Sequence, residues 1–192
     1  MLSTIFEKSL QDHQTAVEKS FSPDQIKILE KISKEIIRCF REGGKIMLCG
    51  NGGSASDSQH IAAEFVGRFH RERRALPAIA LTTDTSILTA VANDYSYEEI
   101  FSRQIEALGK PNDILIAIST SGNSKNVLKA AEKAKEQGIR VIAFTGRRGG
   151  LLKRKTPLIF RSISDLTPHV QEVHITALHA ISEAVEKVLF GS

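Results

Sequence analysis

The chain is poor in the features that mark secreted, membrane-spanning or nucleic-acid-reading proteins. It has no Trp, and 2 Cys among 192 residues. Cys39 and Cys49 are too few for a disulfide framework and form no Cys-x-x-Cys pair, so a reducing cytoplasm is the expected location. No apolar run approaches the roughly 20 residues a membrane span needs, and the first residues lack a signal-peptide pattern. No Gly-x-x-x-x-Gly-Lys-Ser/Thr occurs, so nothing marks a nucleoside triphosphate site. The net charge is a modest +4. Basic residues cluster at 68–74, at Arg147-Arg148 and at Lys153-Arg154-Lys155, with Phe69 the single aromatic among them and no DNA-reading motif beside them. That pattern argues against nucleic acid and for solvated surface, or for attraction of anionic sugar phosphates.

What remains is an ordinary globular composition, 41% hydrophobic and 25% charged, in a length suited to one domain with a real core. Residues 4–19 carry Ile5, Phe6, Leu10 and Val17 at loosely helical spacing. Ser22-Pro23 opens a second helix, with Ser as N-cap and Pro at the first helical position, and Gly43-Gly44 ends it. Beyond it, apolar strand candidates at 45–49, 77–82, 113–118, 140–145 and 157–161 alternate with helical stretches at 54–70, 84–108 (in two pieces), 124–137 and 168–189. Strands separated by helices of this length need right-handed crossovers, which predicts a three-layer α/β/α domain with a five-stranded parallel sheet. The expected organisation is an N-terminal helical pair at 1–42 and an α/β unit at 43–192, forming one structural unit. The apolar stripe of the first helix has little chain to cover it and is expected to pack in an oligomer, the alternative being that it folds back on its own domain.

Two strand-loop-helix junctions carry the chemistry. Ile114–Ile118 runs into Ser119-Thr120-Ser121-Gly122-Asn123-Ser124, and Lys45–Cys49 runs into Gly50-Asn51-Gly52-Gly53-Ser54. Free amides and a favourable dipole at each helix start attract a phosphate, and the glycines let it approach the backbone. The two junctions place both loops at the carboxyl edge of the sheet, where open α/β domains bind ligands. The pairing predicts a phosphorylated small molecule. An ordinary Ser-capped helix is the alternative reading of residues 119–124 alone.

His60 and Glu64 stand one turn apart after the glycine loop, a spacing that suits either a metal or a proton-transfer pair. Asp57, a turn earlier, can orient a ligand or relay a proton. Near the C-terminus, Gln171 and His179 lie about 12 Å apart along one helix. His179 sits in an apolar stretch, where a His is more often a hydrogen-bonded core residue than a catalyst. The two can bracket a substrate, meet one metal through long side chains, or act across a subunit interface. Asn93-Asp94 reads as a turn that can also bind sugar hydroxyls.

These pieces together resemble the sugar isomerase (SIS) domain family over essentially the whole chain, and within it the branch acting on seven-carbon sugar phosphates. The residues that carry the resemblance are Gly50–Ser54, Gln59-His60 with Glu64, Ala92-Asn93-Asp94, Ser119–Ser124, and Gln171-Glu172-Val173-His174 with His179. The resemblance implies conversion of D-sedoheptulose 7-phosphate into D-glycero-D-manno-heptose 7-phosphate, feeding nucleotide-activated heptose for bacterial lipopolysaccharide core or surface glycans. It implies a cytoplasmic homotetramer with interfacial sites and one zinc per subunit. By the same resemblance, Asn51, Gly52, Gly53, Asn93 and Asp94 contact substrate, while Ser119, Thr120, Ser121 and Ser124 hold the phosphate. Glu64 and His179 form the acid/base pair, Gln171 touches substrate, and His60, Glu64, Gln171 and His179 bind zinc. The competing reading is a non-catalytic SIS-domain protein of the type that associates with the DnaA initiator; that type lacks the residues equivalent to Glu64 and His179. Residues 146–170 depart most freely from the family pattern.

Overall fold

The computed structural model describes residues 1–191 and has two N-terminal helices followed by an alternating α/β domain. Helix α1 spans Leu2–Ser20 and α2 spans Pro23–Arg41. Ser22 caps α2 as its sequence predicts, its hydroxyl accepting from the Gln25 amide at 3.5 Å, with Pro23 at the first helical position. The sheet follows as β1 (Ile46–Cys49), β2 (Ala78–Ala80), β3 (Ile114–Ser119), β4 (Arg140–Thr145) and β5 (Ile159–Arg161). All pairings are parallel, in the order β2-β1-β3-β4-β5. Between the strands lie α3 (Gly53–Val66), α4 (Thr85–Asp94), α5 (Ser102–Leu108) and α6 (Lys125–Glu136), and α7 (Thr167–Phe190) closes the chain.

Alternation along the buried strands divides the core in two. Ile46, Leu48, Ile114, Ile116, Ile142 and Phe144 pack under α2, α3 and α7. Met47, Cys49, Leu115, Ala117, Val141 and Ala143 face the layer of α5 and α6. Both faces are therefore apolar, which is why the strands read as continuous hydrophobic runs. The chain leaves β1 for α3 on one face and β3 for α6 on the other, so β1 and β3 flank the topological switch point of the sheet.

Helices α3 and α7 lie side by side, and one ion pair fastens their far ends. Arg73 and Glu186 side chains are 2% and 3% exposed and meet at 2.9 Å. Glu186 also accepts the amides of Phe69, His70 and Arg71. Arg73 donates to the carbonyls of Glu64, Phe65 and Gly67 at the end of α3. Part of the basic cluster at 68–74 is thus an internal strap, not solvated surface. Burial pushes the Glu186 carboxyl up, but its amide and guanidinium donors outweigh that and hold it below the usual range. Its contribution is present at neutral pH and is lost as pH falls through that lowered value. Glu186→Ala leaves a buried guanidinium without its counter-charge and three amides without an acceptor, and should cost about 3–5 kcal/mol, read as a lower urea midpoint at unchanged slope. A loss below about 1 kcal/mol would show that water replaces the carboxylate without penalty.

Candidate functional site

The Gly-rich loop after β1 turns through Gly52, whose φ of +55° lies in the left-handed region that favours glycine. Its carbonyl accepts from the amides of Ala55 and Ser56, and that of Asn51 accepts from Ser54. At Gly53, the first residue of α3, a Cβ would stand 2.5 Å from Gln171 Nε2, so glycine there lets α7 lay its amide against the loop. Gly53 therefore meets Gln171, which brings α7 against the glycine loop.

The loop after β3 forms a hydroxyl cluster. Ser119 Oγ is 3.0 Å from Ser124 Oγ and 3.5 Å from Ser121 Oγ, and Ser121 Oγ accepts the Asn123 amide. Ser124 stands at the N-cap of α6 but its side chain makes no cap hydrogen bond. The ordinary-cap reading of this loop therefore fails, and the hydroxyl is turned toward its serine neighbours. Gly122, at φ +66°, packs against the Gly149 carbonyl where a Cβ would collide. The Gly146 amide donates to Thr120 O, that of Leu151 to Asn123 Oδ1 and that of Leu152 to Gly122 O. Residues 146–152 are thus a buttress behind the hydroxyl loop.

One residue that sequence reasoning missed joins the two loops. Asn126, 3% exposed, accepts from Asn51 Nδ2 at 2.9 Å and donates to Asn51 Oδ1 at 2.8 Å. The Val127 amide also donates to Asn126 Oδ1, which fixes the orientation of the amide. Tyr97 donates its hydroxyl to Asn51 Oδ1 at 3.0 Å. An Asn in the first turn of the helix that follows a ligand loop was the available signal, and its burial shows only in the fold.

Two turns along α3 from the glycine loop, His60, Glu64 and His179 converge. His60 Nε2 lies 3.2 Å from both Glu64 Oε1 and His179 Nε2. The three donor atoms fall within 4.8 Å of one another. Burial, then the neighbouring His60, lowers the His179 pKa against the pull of Glu64, which favours its neutral form. His179 is only part-buried; the core histidine of this helix is His174, fully buried, with Nε2 3.0 Å from Thr145 O and its pKa pushed down to about 4 by desolvation. Phe69 packs on His179 with ring centroids 5.7 Å apart. Burial raises the Asp57 carboxyl to about 6 against the attraction of His60, and its Oδ2 has no partner among the described residues.

Two imidazoles and a carboxylate in this span match the donor set of a zinc site with open positions. Of the four residues expected to hold zinc, His60, Glu64 and His179 are gathered. Gln171 stands two turns earlier on α7, against Gly53. Asn93 and Asp94 end α4, exposed, with Asn93 Nδ2 donating to Asp94 Oδ1 at 2.8 Å, and they meet none of the other expected site residues through a side-chain hydrogen bond. Helix α4 has no buried residue.

Comparison with known proteins identifies the family of the chain. A family model described as "SIS domain" matches residues 10–146. The chain is 54% identical over 166 residues to the phosphoheptose isomerase of Roseiflexus sp., covering 86% of this chain and 84% of that protein. It is 49% identical over 187 residues to the phosphoheptose isomerase of Helicobacter pylori strain P12, covering 97% of each. The solved structure of phosphoheptose isomerase from Neisseria gonorrhoeae superposes with a TM-score of 0.92 at 37% identity, covering 97% of this chain and all of that one. The chain belongs to the SIS-domain family and, within it, to the phosphoheptose isomerases.

Proposed function

We propose that the chain converts D-sedoheptulose 7-phosphate into D-glycero-D-manno-heptose 7-phosphate for heptose biosynthesis, through Glu64 and His179. The observation that supports this most is the meeting of a carboxylate and two imidazoles across α3 and α7, in a chain about half identical to phosphoheptose isomerases. A binding protein of the initiator-associating type needs no such pair.

Moving the carbonyl from C2 to C1 requires removal of a proton at C1, an enediol(ate), and delivery of a proton to C2. The proton on the C1 oxygen passes to the C2 oxygen, in the same sense as the carbon proton. Glu64 and His179 share these tasks, one at carbon and the other at oxygen. Phe69 and the strap behind it restrict the His179 ring. Ser119, Thr120, Ser121 and Ser124, with the first amides of α6, hold the phosphate, while Asn51, Gly52, Gly53 and Gln171 line the sugar. Zinc, when held by His60, Glu64 and His179 with Gln171 as the further ligand, supplies Lewis-acid polarisation of the carbonyl. Asn93 and Asp94 are assigned to the sugar hydroxyls.

The protein is proposed to act as a cytoplasmic homotetramer with sites completed between subunits. Leu2, Ile5, Phe6 and Leu10 of α1 are exposed, and an apolar groove of about 550 Å³ runs between α2 and α7. Such surface supports burial against further copies of the chain. No described helix is long and apolar enough to cross a membrane. Both cysteines are free and buried, and desolvation pushes each thiol up to about 12, which keeps them unreactive.

Incubation of the purified protein with sedoheptulose 7-phosphate should yield the aldose phosphate. Glu64→Gln should lower kcat by ~100-fold or more while inorganic phosphate still binds; near-normal turnover would remove Glu64 from the chemistry. Asn126→Asp sets a carboxylate oxygen against Asn51 Oδ1 and loosens the junction of the two loops. It should raise KM about tenfold, the equivalent of ~1.4 kcal/mol, with a smaller change in kcat. An unchanged KM would make the amide pair dispensable for binding.

A further inference from the structure

A second group of metal-ligating side chains lies away from the site described above. His13, on α1, and His169, in the first turn of α7, both aim Nδ1 at one oxygen of Glu172, each at 2.8 Å. The three donor atoms fall within 4.8 Å of one another. This is the same donor composition, within the same span, as His60, Glu64 and His179. It is also better shielded on one side, since His169 is only 8% exposed.

We propose that His13, His169 and Glu172 form a second binding site for a divalent transition cation of the zinc class, which clips α1 to α7. Imidazole and carboxylate donors select zinc, cobalt or nickel over magnesium and calcium, and three protein ligands leave a position for water. The two hydrogen bonds now made to Glu172 describe the metal-free arrangement. Both imidazoles already point the nitrogen a metal needs at the oxygen a metal would share. Ligation requires each ring to carry its proton on Nε2 and requires no rearrangement of the helices. The clip has a mechanical reason. Helix α1 buries only Ala16 and Ser20, so little apolar packing holds it to the body. A cation there ties its middle to the first turn of α7, directly beside Gln171.

The test uses the full chain stripped of metal by chelator and titrated with zinc, with dialysis and atomic absorption giving the stoichiometry. To silence the first site, His60→Ala and His179→Ala are combined. That double variant should still bind one zinc per chain, and its melting temperature should rise with zinc. Adding His13→Gln, a change on an exposed helix that circular dichroism can check, should weaken zinc binding at least tenfold and abolish the thermal shift. No zinc bound by the double variant, or binding unmoved by His13→Gln, would overturn the site. Neither readout uses isomerase activity, so failure here is separate from failure of the proposed reaction.

Discussion

The contact between α3 and α7 is the constraint on which the site depends, and the buried Arg73–Glu186 pair holds it. Along the two helices lie three points of attachment: Gly53 with Gln171, His60 with His179, and the strap from Phe69 to Arg73 with Glu186. The middle one holds the proposed reacting groups, since Glu64 lies 3.2 Å from His60 there. Glu64 is on α3 and His179 on α7, so the proposed acid/base pair exists only while the helices keep this register. Burying a charged pair is costly, and it persists here because every donor at that end of α3 finds an acceptor. A hydrophobic contact would slide. The ion pair, with three loop amides on one carboxylate, has one geometry.

The sheet supplies the second constraint. Because β1 and β3 flank the switch point, the Gly-rich and hydroxyl loops diverge to opposite faces and leave a crevice between them. Left alone, each loop would be free to drift. The Asn51–Asn126 amide pair spans the crevice, and residues 146–152 brace its far wall. The groups proposed for phosphate recognition and for proton transfer thus belong to different elements, and the glycine loop meets α7 where Gln171 packs on Gly53. Positioning of this kind lets the phosphate fix the sugar for a reaction several carbons away.

Much of this was legible in the chain. The strands were visible because both faces of the sheet are covered, and the start of α2 because Ser22-Pro23 has a local meaning. The hydroxyl and glycine loops announced themselves by composition. Residues that act through long-range pairing did not. Arg73 looked like one of a run of surface cations, and nothing local links it to Glu186, 113 positions away. Asn126 looked like a polar helix residue until Asn51 was placed beside it. Of the three histidines of α7, His174 is the core residue and His179 the more accessible one, a distinction of helix face that the apolar surroundings of His179 concealed.

The account's central claim is proton transfer through an enediol(ate) by groups that α3 and α7 bring together. It is tested most directly by running the conversion of sedoheptulose 7-phosphate in D2O and reading the aldose product by proton NMR. The account predicts deuterium at C2 of the product, because a carboxylate or imidazole that carries the proton exchanges it with solvent. An aldose product formed with C2 fully protiated would mean that hydrogen passes directly between the carbons, and would contradict it.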